Sequence, residues 1–133
     1  MKSSFLFACL AVFCLFSVTI QQTTTPTTTT PPAPAPYTPL TNDQVDKDAA
    51  AKGARDYGAP LVIEKAIAAG QLGQDTYTIS QTITAAKQVV EKGVNYKFTV
   101  TVSNADKSVS HNLGYTSYSH NANGNYFLSK WYF

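Results

Sequence analysis

Cysteine is absent from this sequence beyond residue 14. The two that exist, Cys9 and Cys14, both lie in an unbroken apolar run from Phe5 to Phe16. Lys2 precedes that run and the small residues Ser17 and Thr19 follow it, which is the layout of a secretory signal peptide. Even extended to Ile20 the segment reaches only about 16 residues, short of the roughly 20 that a helix needs to cross a bilayer. Residues 1–20 are therefore expected to be removed on export, leaving a secreted, extracellular chain with no membrane attachment. Both cysteines leave with them, so the mature chain has no disulfide, no thiolate metal ligand and no cysteine nucleophile.

Charge of one sign is lacking too. Ten Lys and Arg face eight Asp and Glu, and loss of Lys2 leaves 9 − 8 = +1. The remaining basic residues are scattered singly from Lys47 to Lys130, which gives no footprint for nucleic acid or an anionic membrane. Histidine occurs only at His111 and His120, glutamate only at Glu64 and Glu91, and no H-x-x-H spacing exists. Nucleophile-elbow, phosphate-loop and dinucleotide fingerprints are missing, as is any N-x-S/T sequon. No catalytic centre, metal or cofactor is expected, and the chain is not expected to be an enzyme.

What the sequence has in quantity is threonine and proline. The stretch Thr23 to Pro39 reads TTTPTTTTPPAPAPYTP. Proline removes amide donors and threonine offers little to bury, so residues 21–40 are expected to be an extended, disordered spacer suited to O-glycosylation. Residues 41–133 are left as the folded domain. Thr41-Asn42-Asp43 has N-cap chemistry, and the alanines at 49–51 and 54 favour a helix from about Asn42 to Tyr57. Gly58-Ala59-Pro60 is expected to break or kink it before a second helical stretch, Leu61 to Ala69, that Gly70 stops.

From Asp75 the apolar period changes to two. Tyr77, Ile79, Ile83, Ala85 and Val89 share one parity; Val94, Tyr96, Phe98, Val100 and Val102 share another after the turn Glu91-Lys92-Gly93. Gly93 is expected to supply a positive φ there. Asn104 to Lys107 and Asn121 to Asn125 read as two more turns, before strands near Val109 to Tyr118 and Tyr126 to Phe133. The fold class is α+β: an N-terminal helix packed on a twisted antiparallel sheet of four strands or more.

The segment Gln88-Val89-Val90-Glu91-Lys92-Gly93, followed by Val94-Asn95-Tyr96, resembles the central hairpin of the cystatin family, whose signature is Q-x-V-x-G before a strand that begins near N-Y. Gly93 stands one residue later than in that signature. The resemblance, to a divergent, disulfide-free, stefin-like branch, covers about Thr82 to Asn104 and implies a cystatin-like domain over 41–133. It also implies a secreted inhibitor of papain-like cysteine proteases. Gln88, Val89, Val90, Glu91, Lys92 and Gly93 would meet the protease, and a second loop with His120, Asn121 and Asn123 would add contacts. A stiff hairpin tip can wedge into a narrow cleft without presenting a cleavable bond, and preorganisation spares the ordering cost. The partner implied is the protease, a protein, and the chain is expected to act as a monomer. No glycine precedes Gly53, and the second loop has neither the Leu-Pro nor the Pro-Trp of the family. Those departures leave an alternative, a secreted cystatin-fold binding or structural module without inhibitory activity. A third reading puts function in the Thr/Pro spacer as a mucin-like surface component.

Overall fold

A computed structural model describes residues 32–120 and 124–133. The expected signal peptide, most of the spacer, and Asn121 and Asn123 lie outside the described residues. Among those described, no helix is long and apolar enough to cross a membrane.

Thr41 opens the first helix, α1 (Asn42–Lys47), through a reciprocal cap. Its hydroxyl accepts from the Gln44 amide at 3.2 Å while the Gln44 side-chain oxygen accepts from the Thr41 amide at 2.9 Å. The helix is interrupted at Asp48, whose backbone is extended at φ −91° and ψ 108°. The Asp48 carboxylate then accepts from the Ala50 and Ala51 amides at 3.0 and 3.4 Å, starting α2 (Ala49–Ala68). The expected break at Gly58-Ala59-Pro60 is thus misplaced by ten residues: α2 runs unbroken through all three. Pro60 is exposed, so the Asp56 carbonyl that loses its amide partner is on a solvated side of the helix. Gly70, at φ +73°, ends the helix as expected, and the Gln71 amide returns to the Ala66 carbonyl at 2.9 Å.

Five strands follow one another in space as they do in sequence, all antiparallel: β1 (Thr38–Leu40), β2 (Tyr77–Val90), β3 (Gly93–Asn104), β4 (Ser110–His120) and β5 (Asn125–Tyr132). The short β1 was expected to be spacer; Thr38, Pro39 and Leu40 pair instead with Lys87, Ala86 and Ala85. Proline is tolerated there because β1 is an edge strand. In β3 the alternation holds from Tyr96 to Val102, with Tyr96, Phe98, Val100 and Val102 buried and Lys97 exposed between them; it ends at Ser103, expected to face outward but buried beside Asn104.

Strand β2 departs from its expected parity. Extra residues at Ser80 and Ile83 shift its register against β3, so Thr82 is buried and Ile83 is 43% exposed. Each bulge flips the face, and two of them return Ala85 to the side that Tyr77 and Ile79 occupy.

The core is asymmetric in size. Helix α2 offers Ala51, Ala54, Ala59, Val62 and Ala66, while the sheet offers Tyr77, Tyr96, Phe98, Leu113 and Tyr115. Small helix residues let the backbone approach the sheet, and the large strand residues fill the layer, each worth about 1.5–3 kcal/mol when fully buried. Gly58 marks the closest approach: a Cβ there would lie 2.5 Å from the Tyr115 ring and 2.6 Å from the Ser117 hydroxyl. Tyr115 is wholly buried, and its hydroxyl donates to the Arg55 carbonyl at 2.7 Å. That burial pushes its phenol well above the ordinary range.

Candidate functional site

The β2–β3 hairpin closes at the Val90–Gly93 pair, with only Glu91 and Lys92 between, both exposed. Neither has a positive φ, and neither does Gly93, contrary to expectation. Glycine is required at 93 for space. A Cβ would overlap the Ser119 carbonyl oxygen and come within 2.8 Å of the Tyr118 ring, because Gly93 pairs with His120 on β4.

The tip is tied down from that side. The Tyr118 hydroxyl donates to the Lys92 carbonyl at 2.8 Å and lies 3.1 Å from His120 Nδ1. On the opposite side the Gln88 amide nitrogen donates to the Ala35 carbonyl at 2.6 Å, and the Gln88 oxygen accepts from Asn95 at 3.0 Å. Gln88 is half-buried and committed at both ends of its amide, so it braces the hairpin more than it presents itself. Val89 is 64% exposed, the most open of the large apolar side chains among the described residues. It stands opposite Val94, on the same side as Tyr96 and Phe98 but with far less cover. Val90 is half-buried.

Register brings three parts of the chain to this end of the sheet. Ala35 lies beside Gln88 just ahead of β1, the hairpin tip is central, and the β4–β5 connection begins at His120, which pairs with both Gly93 and Asn125. Of the expected second-loop residues, His120 is half-buried at this end; Asn121 and Asn123 are outside the described residues. Gly124, at φ +72°, closes that connection. Tyr118, Asn95 and Ala35 were not singled out as site residues. Their partners are 26, 7 and 53 positions away, and only the sheet register joins them.

The two histidines stand apart in the sheet. His111 pairs with Val102 near one end of β4 and His120 with Gly93 at the other, so nine residue steps along the strand, about 30 Å, separate them. Among the described residues no group of three or more His, Cys, Asp or Glu is placed to hold a metal ion.

The chain is an α+β protein in which a helix covers one face of a five-stranded antiparallel sheet and three segments meet at one sheet end. No family model, curated protein or solved structure matches it.

Proposed function

We propose that this is an exported, cystatin-like inhibitor of papain-type cysteine proteases that blocks the active-site cleft with the hairpin Gln88 to Gly93. The observation that carries the reading is the convergence of the Ala35 segment, the Glu91-Lys92 tip and the β4–β5 connection at one end of the sheet, with Val89 64% exposed beside them. Segments that reach the same end of neighbouring strands suit a narrow two-walled cleft. Val89 supplies apolar surface for burial there, and the ties from Tyr118 and Gln88 restrain the tip before binding, which lowers the ordering cost. The order helix, then hairpin meander, with an N-terminal strand paired outside β2, is compatible with a cystatin-like arrangement.

The direct test is titration of papain with the exported form of the chain. Reversible slowing by micromolar inhibitor is expected, lost when Val89 and Val90 are both replaced by Asp; an unaffected papain rate at that concentration rejects the proposal. The second reading, a cystatin-fold binding module without inhibition, is favoured by one specific feature: the tip itself is charged, with Glu91 and Lys92 exposed where the family signature has a single residue. Deleting Lys92 distinguishes the two, since an inhibitor hindered by its lengthened tip gains potency and a non-inhibitor stays inert.

A further inference from the structure

The face of the sheet turned away from α2 has a composition of its own. Register places Tyr118, Thr116 and Gly114 of β4 along its middle, with Asn95, Lys97 and Thr99 of β3 on one side and Phe127, Lys130 and Tyr132 of β5 on the other. None of the five strands contains an Asp or Glu. Lys97 and Lys130 are exposed, and neither has an ion-pair partner among the described residues. Residues 21–133 carry 9 − 8 = +1, so with +2 on this face everything else sums to +1 − 2 = −1. The face is positive on a chain that is otherwise slightly negative.

Two aromatic stations bracket the lysines. The Tyr132 side chain leaves β5, crosses Gly114 and reaches β3, where its hydroxyl is 3.1 Å from Thr99 Oγ1. A Cβ at Gly114 would overlap that ring, so glycine is what lets the ring lie along the sheet. Tyr132 is still 50% exposed. Four residues along β4, about 13 Å away, the Tyr118 and Phe127 rings stand 6.3 Å apart, and Phe127 is 56% exposed. Midway between the stations, Lys97 and Lys130 flank Thr116, two strand spacings or about 10 Å apart at the backbone. The order along one line over β4 is aromatic, cationic pair, aromatic.

That order narrows the choice of ligand. The electron-rich face of an aromatic ring attracts the C–H side of a sugar ring. The neutral neighbours Thr84, Thr99 and Asn112 have hydroxyls and an amide, which donate and accept as sugar hydroxyls do. A nucleic-acid backbone only accepts and needs a cation at each of several phosphates, which two lysines do not supply. An acidic peptide would satisfy the lysines but has no flat ring for the two stations.

We propose that this face binds an extended anionic polysaccharide in which a uronic acid lies between two neutral sugars. The carboxylate sits between Lys97 and Lys130, and the neutral sugars stack on Tyr132 and Phe127. Val89 is on the other side of the sheet, with Tyr96 and Phe98, so this binding stands or falls separately from protease inhibition.

The test titrates the isotope-labelled full chain with a hexasaccharide of alternating glucuronate and N-acetylglucosamine. The controls are an uncharged hexamer of N-acetylglucosamine, a hexaglutamate peptide and a thymidine hexanucleotide. The acidic hexasaccharide is expected to bind about tenfold more tightly than the uncharged one, with the difference shrinking as salt is added. Amide shifts are expected at Thr99, Thr116 and Lys130 and not at Ile63 to Ile67 of α2. Replacing both lysines, Lys97→Gln with Lys130→Gln, is expected to reduce the acidic sugar to the affinity of the uncharged one; if that variant fails to fold, Lys130→Gln alone gives part of the loss. Phe127→Ala, at an exposed position, is expected to weaken both sugars. Absence of binding at millimolar sugar, equal affinity for the two sugars, or shifts confined to another surface overturns the proposal. So does a preference that survives loss of both lysines, or hexaglutamate or the oligonucleotide binding as tightly as the acidic sugar.

Discussion

The Tyr118 hydroxyl donates to the Lys92 carbonyl at 2.8 Å, linking β4 to the turn between β2 and β3 across 26 positions of sequence. A two-residue turn at the end of a long hairpin has little else to hold it, since both of its side chains are exposed. The bond restrains the tip from the face that carries Asn95 and Gln88. Tyr118→Phe is expected to leave the fold intact at a cost of about 0.5–1.5 kcal/mol. Hydrogen exchange at the Glu91 to Gly93 amides is expected to speed up while that of β3 is unchanged. Unaltered exchange at the tip would show that the tyrosine does not restrain it.

Gln88 plays the corresponding part on the other side. Gln88→Ala removes both the Ala35 and Asn95 bonds and is expected to release the segment ahead of β1. Limited proteolysis reads this directly. Cleavage near Ala35 to Tyr37 accelerates in the variant, with global stability lowered by about 1 kcal/mol or less, because both bonds are near the surface.

Gly58→Ala reverses a general expectation. In an exposed helix interior this change stabilises by about 1 kcal/mol. Here the new methyl group would sit 2.5 Å from the buried Tyr115 ring, and that ring cannot swing away while its hydroxyl holds the Arg55 carbonyl. Overpacking of this kind costs about 1–3 kcal/mol. Thermal or denaturant unfolding checks the sign: a variant more stable than the parent would mean that the helix can shift outward.

Tyr115 also sets an alkaline limit. Burial raises its folded pKa above the ordinary value of 10.0, so the neutral phenol is favoured in the native state. A raised folded pKa gives stability that is fully present below the unfolded value and lost as pH climbs above it. Tyr96, raised chiefly by burial as well, acts in the same direction. Stability is therefore expected to be flat up to about pH 9 and to fall from pH 10 upward. Tyr115→Phe is expected to lower stability at neutral pH by about 1 kcal/mol but to flatten much of the alkaline loss. An alkaline slope identical in parent and variant contradicts the assignment.

Local chemistry was readable where the determining interactions span a few residues. The Thr41 cap, the Gly70 stop and the β3 alternation from Tyr96 to Val102 all rest on neighbours within one turn or one pleat, and each is found where the sequence put it. The helix break was misjudged because Gly58 and Pro60 look like breakers in isolation. In place, one faces Tyr115 and Ser117, and the other faces water. The parity of β2 was misread because a bulge has no strong signature in a run of threonines and aliphatics. Gly93 was rightly marked as special but for the wrong reason, since crowding by Ser119 and Tyr118 comes from a strand some 26 residues on.

The sequence by itself determined the Thr41 cap, the Gly70 stop, the position of the β2–β3 turn and the coarse α+β order of helical residues before antiparallel strands. Tertiary structure alone decided that Ala35, Lys92 and His120 meet at one end of the sheet, that a strand forms inside the proline-rich segment, and that Arg55 is enclosed by Asp46 and Asp56. The physical reason is range. A cap or an alternation depends on backbone groups a few bonds away, whereas these meetings depend on strand register, and register is fixed only when the whole apolar face packs beneath the helix.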